Sequence, residues 1–311
     1  MKIAVVGAGA MGSIYAALLS EAGNSVWAID PNQAHLDAIN RHGLSLTGPQ
    51  GTQRFDRITA VPDAAAVGGQ VDLVVLATKA LHVPQAVQNL ASILGPATTV
   101  LAMQNGLGAA ERVQQNLPET AHEVHVALGV AQGFGASVEA PGQVRFANMK
   151  LMRFGETVDG DSPVMEALAR TWREAGFQAQ AYANLRQLIW EKFICNVTLS
   201  APCTIFRQSV GAMKAVPEQW QIALNCGLEA VAVGRALGVP FSFDDAETYI
   251  GAFADSVAGA KPSMLQDFEA RRRSEIDVIN GRVPIEAAKV GLSAPLNQTL
   301  ADLVRAQEAA F

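Results

Sequence analysis

The hydrophobic pattern of the first half of the chain alternates between short apolar runs and amphipathic stretches. Runs of this kind predict buried parallel strands, and the amphipathic stretches between them repeat at the spacing of helices. The apolar runs occupy residues 1–6, 25–29, 71–77 and 98–103. The alternation continues to about residue 180 and indicates a parallel sheet with helices on both of its faces.

The pattern changes to helices alone in the second half of the chain. Pro202 is expected to interrupt the first of these helices. The predicted helices occupy residues 185–199, 217–237, 243–258, 264–279 and 297–309. The sequence therefore predicts an α/β fold class, in which an N-terminal Rossmann-type dinucleotide-binding domain is followed by an all-α C-terminal domain. We place these domains at residues 1–183 and 184–311 and expect a ligand cleft between them.

A glycine-rich turn joins the first predicted strand to the first predicted helix. Its sequence is Gly7-Ala8-Gly9-Ala10-Met11-Gly12, with the spacing GxGxxG. The first glycine permits a tight turn, the second lets backbone amides approach a pyrophosphate, and the third lets the helix pack against the strand. The N–H groups and the positive dipole end of the helix then face the phosphates. The alternative is a glycine turn that binds no dinucleotide, but the flanking strand and helix favour a cofactor site.

An acidic residue follows the second predicted strand. Asp30 lies where a carboxylate accepts hydrogen bonds from the ribose hydroxyls of adenosine. The same carboxylate repels a 2′-phosphate, and the next residues, Pro31-Asn32-Gln33, provide no Lys or Arg to bind one. These residues favour NAD over NADP.

The composition excludes several classes of function. Of the 311 residues, 50% are hydrophobic and 17% are charged, and the net charge of −6 gives no support to nucleic-acid binding. The first residues do not resemble a signal peptide, and no apolar run approaches the ~20 residues that span a bilayer. The three cysteines lack CxxC spacing and are expected to be reduced thiols in a cytoplasmic protein. The scattered histidines predict no metal site.

Two polar residues follow predicted strands at the edge of the sheet where open α/β folds bind ligands. Lys79 comes after the strand at residues 71–77, and Asn105 comes after the strand at residues 98–103. Lys79 either supports the cofactor through its charge or is a solvated lysine at the start of a helix. Asn105 and Gly106 form a favoured turn pair, but their position at a strand end favours a functional role.

A polar stripe lies on the first helix of the C-terminal domain. Lys192 and Asn196 are four residues apart and share one face of the helix, and Ser200 continues along that face. Buried polar groups destabilise a protein unless they are paired. The stripe therefore either lines a cleft or contacts solvent.

A second concentration of polar residues extends from Ser263 to Asn280. Ser263 and Gln266 fit a capping box, and Arg271 and Glu275 fit an ion pair between residues four apart on one helix. Taken alone, these residues are explained by helix stability.

Several of these segments, in this order, resemble the ketopantoate reductase family. The motifs are GAGAMG at residues 7–12, QNG at 104–106, WEKFICN at 190–196, SMLQD at 263–267 and RSEIDxxNG at 273–281. The resemblance covers essentially the whole chain, and the last motif is the most specific. It implies a helical second domain and the reduction of a 2-keto acid, typically 2-dehydropantoate, to a D-2-hydroxy acid with a nicotinamide cofactor, a reaction of pantothenate biosynthesis.

The resemblance also implies roles for individual residues. Lys192 matches a catalytic lysine that hydrogen-bonds the ketone oxygen and donates a proton as hydride arrives. Glu275 matches an acid near the substrate and the cofactor, where it would hold Lys192 charged. Asn105 matches a residue that contacts the cofactor and the reacting group. Asn196 matches a substrate-holding position, and Ser263 matches the residue that meets the substrate carboxylate.

The implied cofactor contacts extend beyond the glycine turn and Asp30. Lys79 and Ala136 match residues that contact the cofactor in the family, and Glu275 belongs to the same set. NADP is the cofactor of most members, whereas Asp30 replaces their arginine-type pocket for the 2′-phosphate. NAD(H) is therefore the favoured cofactor of this chain.

The chain departs from the family pattern at two substrate positions. Ser200 lies where typical members have a second substrate asparagine, and Val210 lies at a third polar position. The family's asparagines hold hydroxyl and carboxylate groups of pantoate, so these differences leave open a different 2-keto acid. NAD-dependent D-2-hydroxyacid dehydrogenases of the mandelate type share the acid after the second strand and resemble residues 198–205. This branch is the alternative function.

The expected partner is a small-molecule 2-keto acid, with neither a nucleic acid nor a membrane. The long apolar helices, above all residues 217–237, either bury against a second subunit, which would form a homodimer, or form the core of their own domain. A cofactor-binding redox sensor without catalysis is the hypothesis from another class. The presence of both Lys192 and Glu275 favours an enzyme.

Overall fold

The computed structural model describes residues 1–121, 123–133, 135–148 and 151–311. By its contacts the chain divides into two compact units. The α/β unit contains Met1–Gln104 and Gly108–Leu185, and the helical unit contains Asn105–Leu107 and Arg186–Phe311.

The α/β unit alternates strands and helices along the chain. Its strands are β1 (Lys2–Val6), β2 (Ser25–Ile29), β3 (Leu44–Gly48), β4 (Gly51–Phe55), β5 (Ile58–Val61), β6 (Leu73–Leu76), β7 (Thr99–Ala102), β8 (His125–Gln132), β9 (Gly135–Ala140), β10 (Gln143–Asn148), β11 (Leu151–Gly155) and β12 (Ala179–Ala181). Its helices are α1 (Ala10–Glu21), α2 (Gln33–His42), α3 (Val83–Gln88), α4 (Ala109–Gln114) and α5 (Pro163–Glu174).

The larger sheet has the strand order β12-β11-β8-β7-β6-β1-β2-β5. Neighbouring strands from β5 to β8 are parallel, whereas β11 runs antiparallel to β8 and is parallel to β12. The parallel strands follow the 3-2-1-4-5-6 order of dinucleotide-binding sheets. The predicted Rossmann-type α/β domain is therefore confirmed.

Both faces of this sheet are covered by apolar side chains. Ile3 and Val5 of β1 belong to the same buried cluster as Trp172 of α5, whereas Ala4 and Val6 belong to a second buried cluster. Successive side chains of a strand point to opposite faces of the sheet. A strand covered on both faces is therefore apolar throughout, which explains the uninterrupted apolar run at the start of the chain.

The carboxyl ends of the central strands are level with one another. Val6 of β1 pairs with Ile29 of β2 and with Leu76 of β6, and Leu76 pairs with Ala102 of β7. The segments that follow these strands therefore begin at one edge of the sheet. In folds of this kind that edge binds the ligand, where the strand order reverses beside β1.

A smaller sheet with the order β4-β3-β10-β9 packs against α1. Ala136 on β9 is half-buried and contacts the apolar cluster that Ala10 and Met11 also contact. The turn between β9 and β10 includes Gly142, whose φ of +71° is one that glycine adopts without strain. This sheet adds a second layer of backbone next to the first helix of the chain.

The helical unit continues from a long first helix. Its helices are α6 (Leu185–Phe206), α7 (Val210–Lys214), α8 (Pro217–Ala236), α9 (Ala246–Ser256), α10 (Ser263–Glu269), α11 (Arg282–Lys289) and α12 (Pro295–Glu308). α8 packs against α7, α9, α11 and α12. Its apolar residues therefore contribute to the core of this unit, and the prediction of an all-α second domain is confirmed. Within the described residues, the helices lack the length and apolar character that crossing a membrane requires.

The expectation that Pro202 interrupts the first of these helices is wrong, because α6 continues to Phe206. Proline removes one helical hydrogen bond through its missing N–H. Val197, Ala201 and Cys203 near it are almost fully buried. Packing on these residues maintains the helix across the lost bond.

The single helix predicted at residues 264–279 is also wrong. α10 ends at Glu269, the φ of Arg271 is +52°, and a short 3-10 turn follows at Ile276–Val278. The predicted ion pair between Arg271 and Glu275 loses its helical geometry, and the Arg271 guanidinium donates a hydrogen bond to the Ala310 carbonyl at 2.6 Å.

The capping box predicted for Ser263 is wrong as well. Pro262 occupies the cap position, and Ser263 is the first residue of α10. The proline has no polar side chain and fixes the backbone angle that leads into the helix.

Candidate active site

The glycine turn after β1 has the shape that its sequence predicts. Gly7 has a φ of +94°, and a Cβ on it would lie 2.7 Å from the backbone nitrogen of Thr78. A Cβ on Gly12 would lie 1.8 Å from the Gly7 carbonyl oxygen. Larger residues at either position would force the turn away from α1 and from the end of β6.

Gly9 differs from the other two glycines. A Cβ built on Gly9 would meet no protein atom within 4 Å, so the space beside it is free of protein. Gly9 caps α1, no side chain caps the helix, and its first turn contains no acidic residue. Open space beside uncapped amides at a helix N-terminus fits a phosphate group. The turn therefore passes a structural test for a dinucleotide site.

The other predicted cofactor residues of the α/β unit follow neighbouring strands. Asp30 directly follows β2, where its Oδ1 accepts a hydrogen bond from the Asn32 amide at 2.9 Å. Lys79 follows β6, is half-buried and begins a short 3-10 turn. Ala136 lies on β9 in the smaller sheet, beside α1. Asp30 and Lys79 lie at the same edge of the sheet as the glycine turn, since β1, β2 and β6 end at the same level.

Sequence analysis gave Gln104 no role of its own. Its side-chain amide donates hydrogen bonds to the carbonyl oxygens of Leu76 at 2.8 Å and Thr78 at 3.2 Å. Gln104 therefore joins the ends of β6 and β7 next to the glycine turn. The partners are separated by 28 and 26 residues, so no local sequence pattern could indicate the contact.

The segment Asn105–Leu107 belongs to the helical unit although its neighbours in sequence belong to the α/β unit. The Leu107 amide donates to the Val278 carbonyl at 3.2 Å. Gly106 has a φ of +81°, and a Cβ on it would lie 2.2 Å from the same carbonyl oxygen. Glycine is therefore required at this position. The Asn105 side-chain amide then donates to Glu275 Oε2 at 3.3 Å.

Lys192 lies on α6, and its electrostatic environment includes Glu275. Burial lowers the pKa of Lys192 from 10.5 to about 8, while the carboxylate of Glu275 acts in the opposite direction. The structure thus brings together three predicted site residues, Asn105, Lys192 and Glu275. A lysine with a pKa near 8 remains mostly protonated at neutral pH and releases its proton more readily than an exposed lysine.

The segment that carries Glu275 is fixed on both sides. The Ser274 amide donates to Glu308 Oε1 of α12 at 3.1 Å. On the other side, Asn280 is fully buried and donates to the Val197 carbonyl of α6 at 2.8 Å. Asn280 therefore ties the segment of Glu275 to the helix of Lys192. Sequence analysis did not find the role of Glu308, because it lies 34 residues from its partner.

The predicted substrate residues occupy two elements of the helical unit. Asn196 and Ser200 follow Lys192 along α6; Asn196 is half-buried and Ser200 is buried. Ser263 is exposed at the first turn of α10. Val210, the third substrate position, is buried at the start of α7, where it contributes to an apolar core. The roles of these residues remain predictions.

The arrangement provides acid–base chemistry through side chains. Among the residues that the structure describes, no group of three or more His, Cys, Asp and Glu could hold a metal ion. The lysine and the amide in the helical unit can donate hydrogen bonds to an oxygen that gains negative charge, and the lysine can protonate it, while the carboxylate favours the charged form of the lysine.

Two family models match the chain. The model described as "Ketopantoate reductase PanE/ApbA" matches residues 3–159, and the corresponding C-terminal model matches residues 184–308. A 2-dehydropantoate 2-reductase of Mesorhizobium japonicum is 32% identical, with 98% of this chain and 97% of that protein covered. One from Streptococcus pyogenes is 28% identical, with 99% and 98% covered.

Solved structures show the same fold. A PanE/ApbA family ketopantoate reductase from Ralstonia eutropha has a TM-score of 0.90 at 28% identity, with 100% of this chain and 99% of that chain covered. D-mandelate dehydrogenase with NADH and anilino(oxo)acetate has a TM-score of 0.88 at 28% identity, with the same shares covered. The chain is thus similar to both branches that sequence analysis considered.

Proposed function

Because the chain belongs to the ketopantoate reductase family, we propose that it reduces a 2-keto acid of the 2-dehydropantoate type to a D-2-hydroxy acid with NADH. The observation that carries this proposal is the grouping of Asn105, Lys192 and Glu275 in the helical unit, with the pKa of Lys192 lowered to about 8. A cofactor-binding sensor would need neither the lysine nor the carboxylate.

Lys192 is the proton donor in this proposal. The nicotinamide cofactor, when bound, supplies hydride to the ketone carbon. Lys192 donates a hydrogen bond from its ammonium Nζ to the ketone oxygen and transfers the proton as that oxygen becomes negatively charged. Its lowered pKa makes this transfer easier than from an ordinary lysine, because burial has already destabilised the charged form.

Glu275 and Asn105 position the donor. The carboxylate of Glu275 favours the protonated form of Lys192. It therefore opposes the effect of burial and keeps Lys192 protonated at neutral pH. Asn105 donates to Glu275 Oε2 and thereby fixes the orientation of the carboxylate. The Asn105 amide also has a second N–H and a carbonyl oxygen with which it would contact the reacting group.

The substrate would be held by the polar residues of α6 and by the first turn of α10. Asn196 would hydrogen-bond a polar group of the substrate, and buried Ser200 would do the same with a shorter side chain. Ser263 would meet the carboxylate through its hydroxyl, and the amides at a helix N-terminus favour an anion.

The glycine turn would hold the cofactor together with Asp30, Lys79 and Ala136. The open space beside Gly9 and the uncapped amides of α1 support a pyrophosphate site. Asp30 supports NADH over NADPH, because a carboxylate accepts ribose hydroxyls and repels a 2′-phosphate.

A second candidate function is that of an NAD-dependent D-2-hydroxyacid dehydrogenase with another branched or aromatic 2-keto acid. Two observations favour it: Val210 is buried in an apolar core, and Ser200 is shorter than the family's asparagine. The D-mandelate dehydrogenase that this fold matches forms a ternary structure with NADH and anilino(oxo)acetate.

Initial rates of NADH and NADPH oxidation with 2-dehydropantoate, phenylglyoxylate and branched 2-keto acids test both candidates. The first candidate predicts the highest kcat/KM with 2-dehydropantoate, and the second predicts it with another acid of the panel. No turnover of any 2-keto acid would refute both, and a preference for NADPH would refute the role of Asp30.

We also propose a cytoplasmic location, since the described structure has Cys195, Cys203 and Cys226 as buried free thiols. The homodimer stays a prediction, and sedimentation of the purified protein at several concentrations tests it.

A further inference from the structure

A chain of hydrogen bonds inside the α/β unit ends at the glycine turn. The imidazole of His35, on α2, is buried and lies 3.2 Å from the Ser13 hydroxyl through Nε2. The Ser13 hydroxyl, on α1, donates to the Ala8 carbonyl at 2.9 Å. On its other side, His35 Nδ1 accepts a hydrogen bond from the Gly142 amide at 3.0 Å. We call these four residues the His35 relay.

The direction of each hydrogen bond in the His35 relay is fixed by its partners. A backbone amide can only donate, so Nδ1 of His35 must carry a lone pair. The proton of the neutral ring is then on Nε2, which donates to the Ser13 oxygen. Ser13 in turn donates to Ala8. Burial lowers the pKa of His35, against opposing effects of Asp30 and the Ala8 backbone, and so favours this neutral form.

The relay begins at a turn that packs closely against α2 and is hydrogen-bonded to β3. Gly142, between β9 and β10, has a φ of +71°, and a Cβ on it would lie 3.0 Å from the Ala38 side chain. Its carbonyl accepts a hydrogen bond from the Ser45 amide at 2.9 Å. Gly142 is therefore bonded to β3 through its carbonyl and to the imidazole through its amide, and it links His35 to the smaller sheet.

The relay ends by fixing one peptide plane of the glycine turn. The Ala8–Gly9 peptide is planar and trans, so its carbonyl and its N–H point in opposite directions. The Ala8 carbonyl is turned toward the interior by Ser13. The Gly9 N–H is therefore turned away from the interior. A Cβ built on Gly9 itself would meet no protein atom within 4 Å, so open space lies beside this amide.

We infer that His35 is a positioning residue for the cofactor pyrophosphate. It acts through Ser13, which orients the Gly9 amide so that its N–H points at a phosphate oxygen. This inference rests on the proposed dinucleotide binding and adds to it a residue that lies outside the glycine motif. It also gives the smaller sheet a function, because that sheet provides the anchor of the relay.

Paired isosteres of His35 test the relay. In His35→Gln, the side-chain amide nitrogen reaches the position of Nε2 and can still donate to Ser13. In His35→Asn, the side chain reaches only the position of Nδ1, so the donor to Ser13 is lost. We expect His35→Asn and Ser13→Ala each to raise the Kd of NADH about tenfold, since a hydrogen bond to a charged group is weakened. His35→Gln should stay within about threefold of the wild type, and the double variant should be no weaker than either single one.

Asn40→Ala is the matched control. Asn40 also lies on α2, and its side chain exchanges two hydrogen bonds with the Ala60 backbone. Its loss destabilises the same helix but does not touch the relay, so the Kd of NADH should be unchanged while the melting temperature falls.

Fluorescence titration with NADH gives the Kd, and steady-state rates give kcat and the KM of the 2-keto acid. The inference predicts that only the constants for NADH change. It is overturned if His35→Asn and Ser13→Ala bind NADH like the wild type, or if kcat and both KM values change together as in a general loss of folding. If the wild type binds NADH and the variants bind it equally well, the relay alone is refuted. If the wild type binds no dinucleotide, both the relay and the proposed function are refuted.

Discussion

The two units of the molecule build their functional groups in opposite ways. In the α/β unit, the turn proposed for the cofactor lies within one stretch, residues 7–12, and acts through backbone amides and empty space. In the helical unit, the groups proposed for catalysis come from positions 105, 192 and 275 and would act through their side chains. A site made of backbone amides can be encoded by one short sequence motif, whereas a site made of side chains depends on contacts between distant segments.

This difference predicts which step of the reaction a substitution in each unit affects. A substitution in the glycine turn changes the shape of the backbone and should affect dinucleotide binding first. A substitution among the side chains of the helical unit should affect the chemical step while the cofactor still binds. The following experiments test this contrast, beginning with the largest expected effect.

Lys192→Ala should lower kcat by about 10²–10⁴-fold, because general acid catalysis typically contributes that much. The Kd of NADH should be unchanged, since Lys192 is proposed to contact the ketone oxygen and is not among the predicted cofactor contacts. Pre-steady-state and steady-state rates measure the first quantity, and fluorescence titration measures the second. A kcat within tenfold of the wild type would contradict the role of proton donor.

Gly9→Ala and Gly12→Ala should separate binding from folding in the α/β unit. A Cβ on Gly9 meets no protein atom within 4 Å, whereas a Cβ on Gly12 lies 1.8 Å from the Gly7 carbonyl. Gly9→Ala should therefore keep its melting temperature and weaken NADH binding about 100-fold, through the space that a phosphate needs. Gly12→Ala should lower the melting temperature as well. Normal NADH binding by Gly9→Ala would place the pyrophosphate elsewhere.

The rate of reduction should depend on pH through Lys192. Its pKa in the folded protein is about 8, so kcat/KM for the 2-keto acid should fall about tenfold per pH unit above that value, as the donor loses its proton. Oxidation of the hydroxy acid should rise over the same range, because the neutral amine is then the base. A flat profile from pH 7 to 10 would exclude a titrating lysine at this step.

The same shift has a consequence for stability. Between about pH 8 and 10.5, Lys192 is deprotonated in the folded state and protonated in the unfolded state. The unfolded state then binds more protons, so the free energy of unfolding rises with pH in this window. Lys192→Met should lack this rise, and denaturant titrations at pH 7.5 and 10 measure the difference between the two proteins.

Glu308→Ala should have the smallest effect, a fall in kcat of about threefold to tenfold. It leaves the buried amide of Ser274 without its acceptor, and Ser274 directly precedes Glu275. Glu308→Gln retains an oxygen acceptor and is the matched control, with kcat near that of the wild type. Equal losses in both variants would indicate that the charge of Glu308, rather than its hydrogen bond, is required.

Sequence analysis predicted the features that depend on local patterns and missed those that depend on contacts between distant segments. The apolar runs predicted the parallel sheet correctly, because a strand buried on both faces is apolar at every position. The shape of the glycine turn was also predicted correctly, because its three glycines lie within six residues at the spacing of a dinucleotide-binding turn, although only Gly7 and Gly12 are required by contacts within the protein. The helix expected at residues 264–279 was wrong, because α10 ends in a left-handed turn at Arg271, in which the amides of Arg271 and Arg272 donate to the carbonyls of Phe268 and Asp267. Such a turn usually has glycine at its left-handed position, and the sequence has arginine there.

The candidate site of the helical unit could be predicted only in part. Spacing placed Lys192 on one face with Asn196, but it could not place Asn105 beside Glu275, since 170 residues separate the two. Only the family resemblance joined them. The His35 relay escaped prediction for the same reason, because its anchor Gly142 lies 107 residues from the imidazole.

The helical unit is discontinuous in sequence, because it contains the segment Asn105–Leu107 as well as residues 186–311. A fragment that encodes residues 186–311 alone lacks Asn105 and the hydrogen bond from Leu107 to Val278. Recombination that exchanges residues 186–311 with those of a relative would therefore separate Lys192 and Glu275 from the asparagine that contacts this glutamate. An exchange that is to preserve this contact must carry residues 105–107 along with the helices.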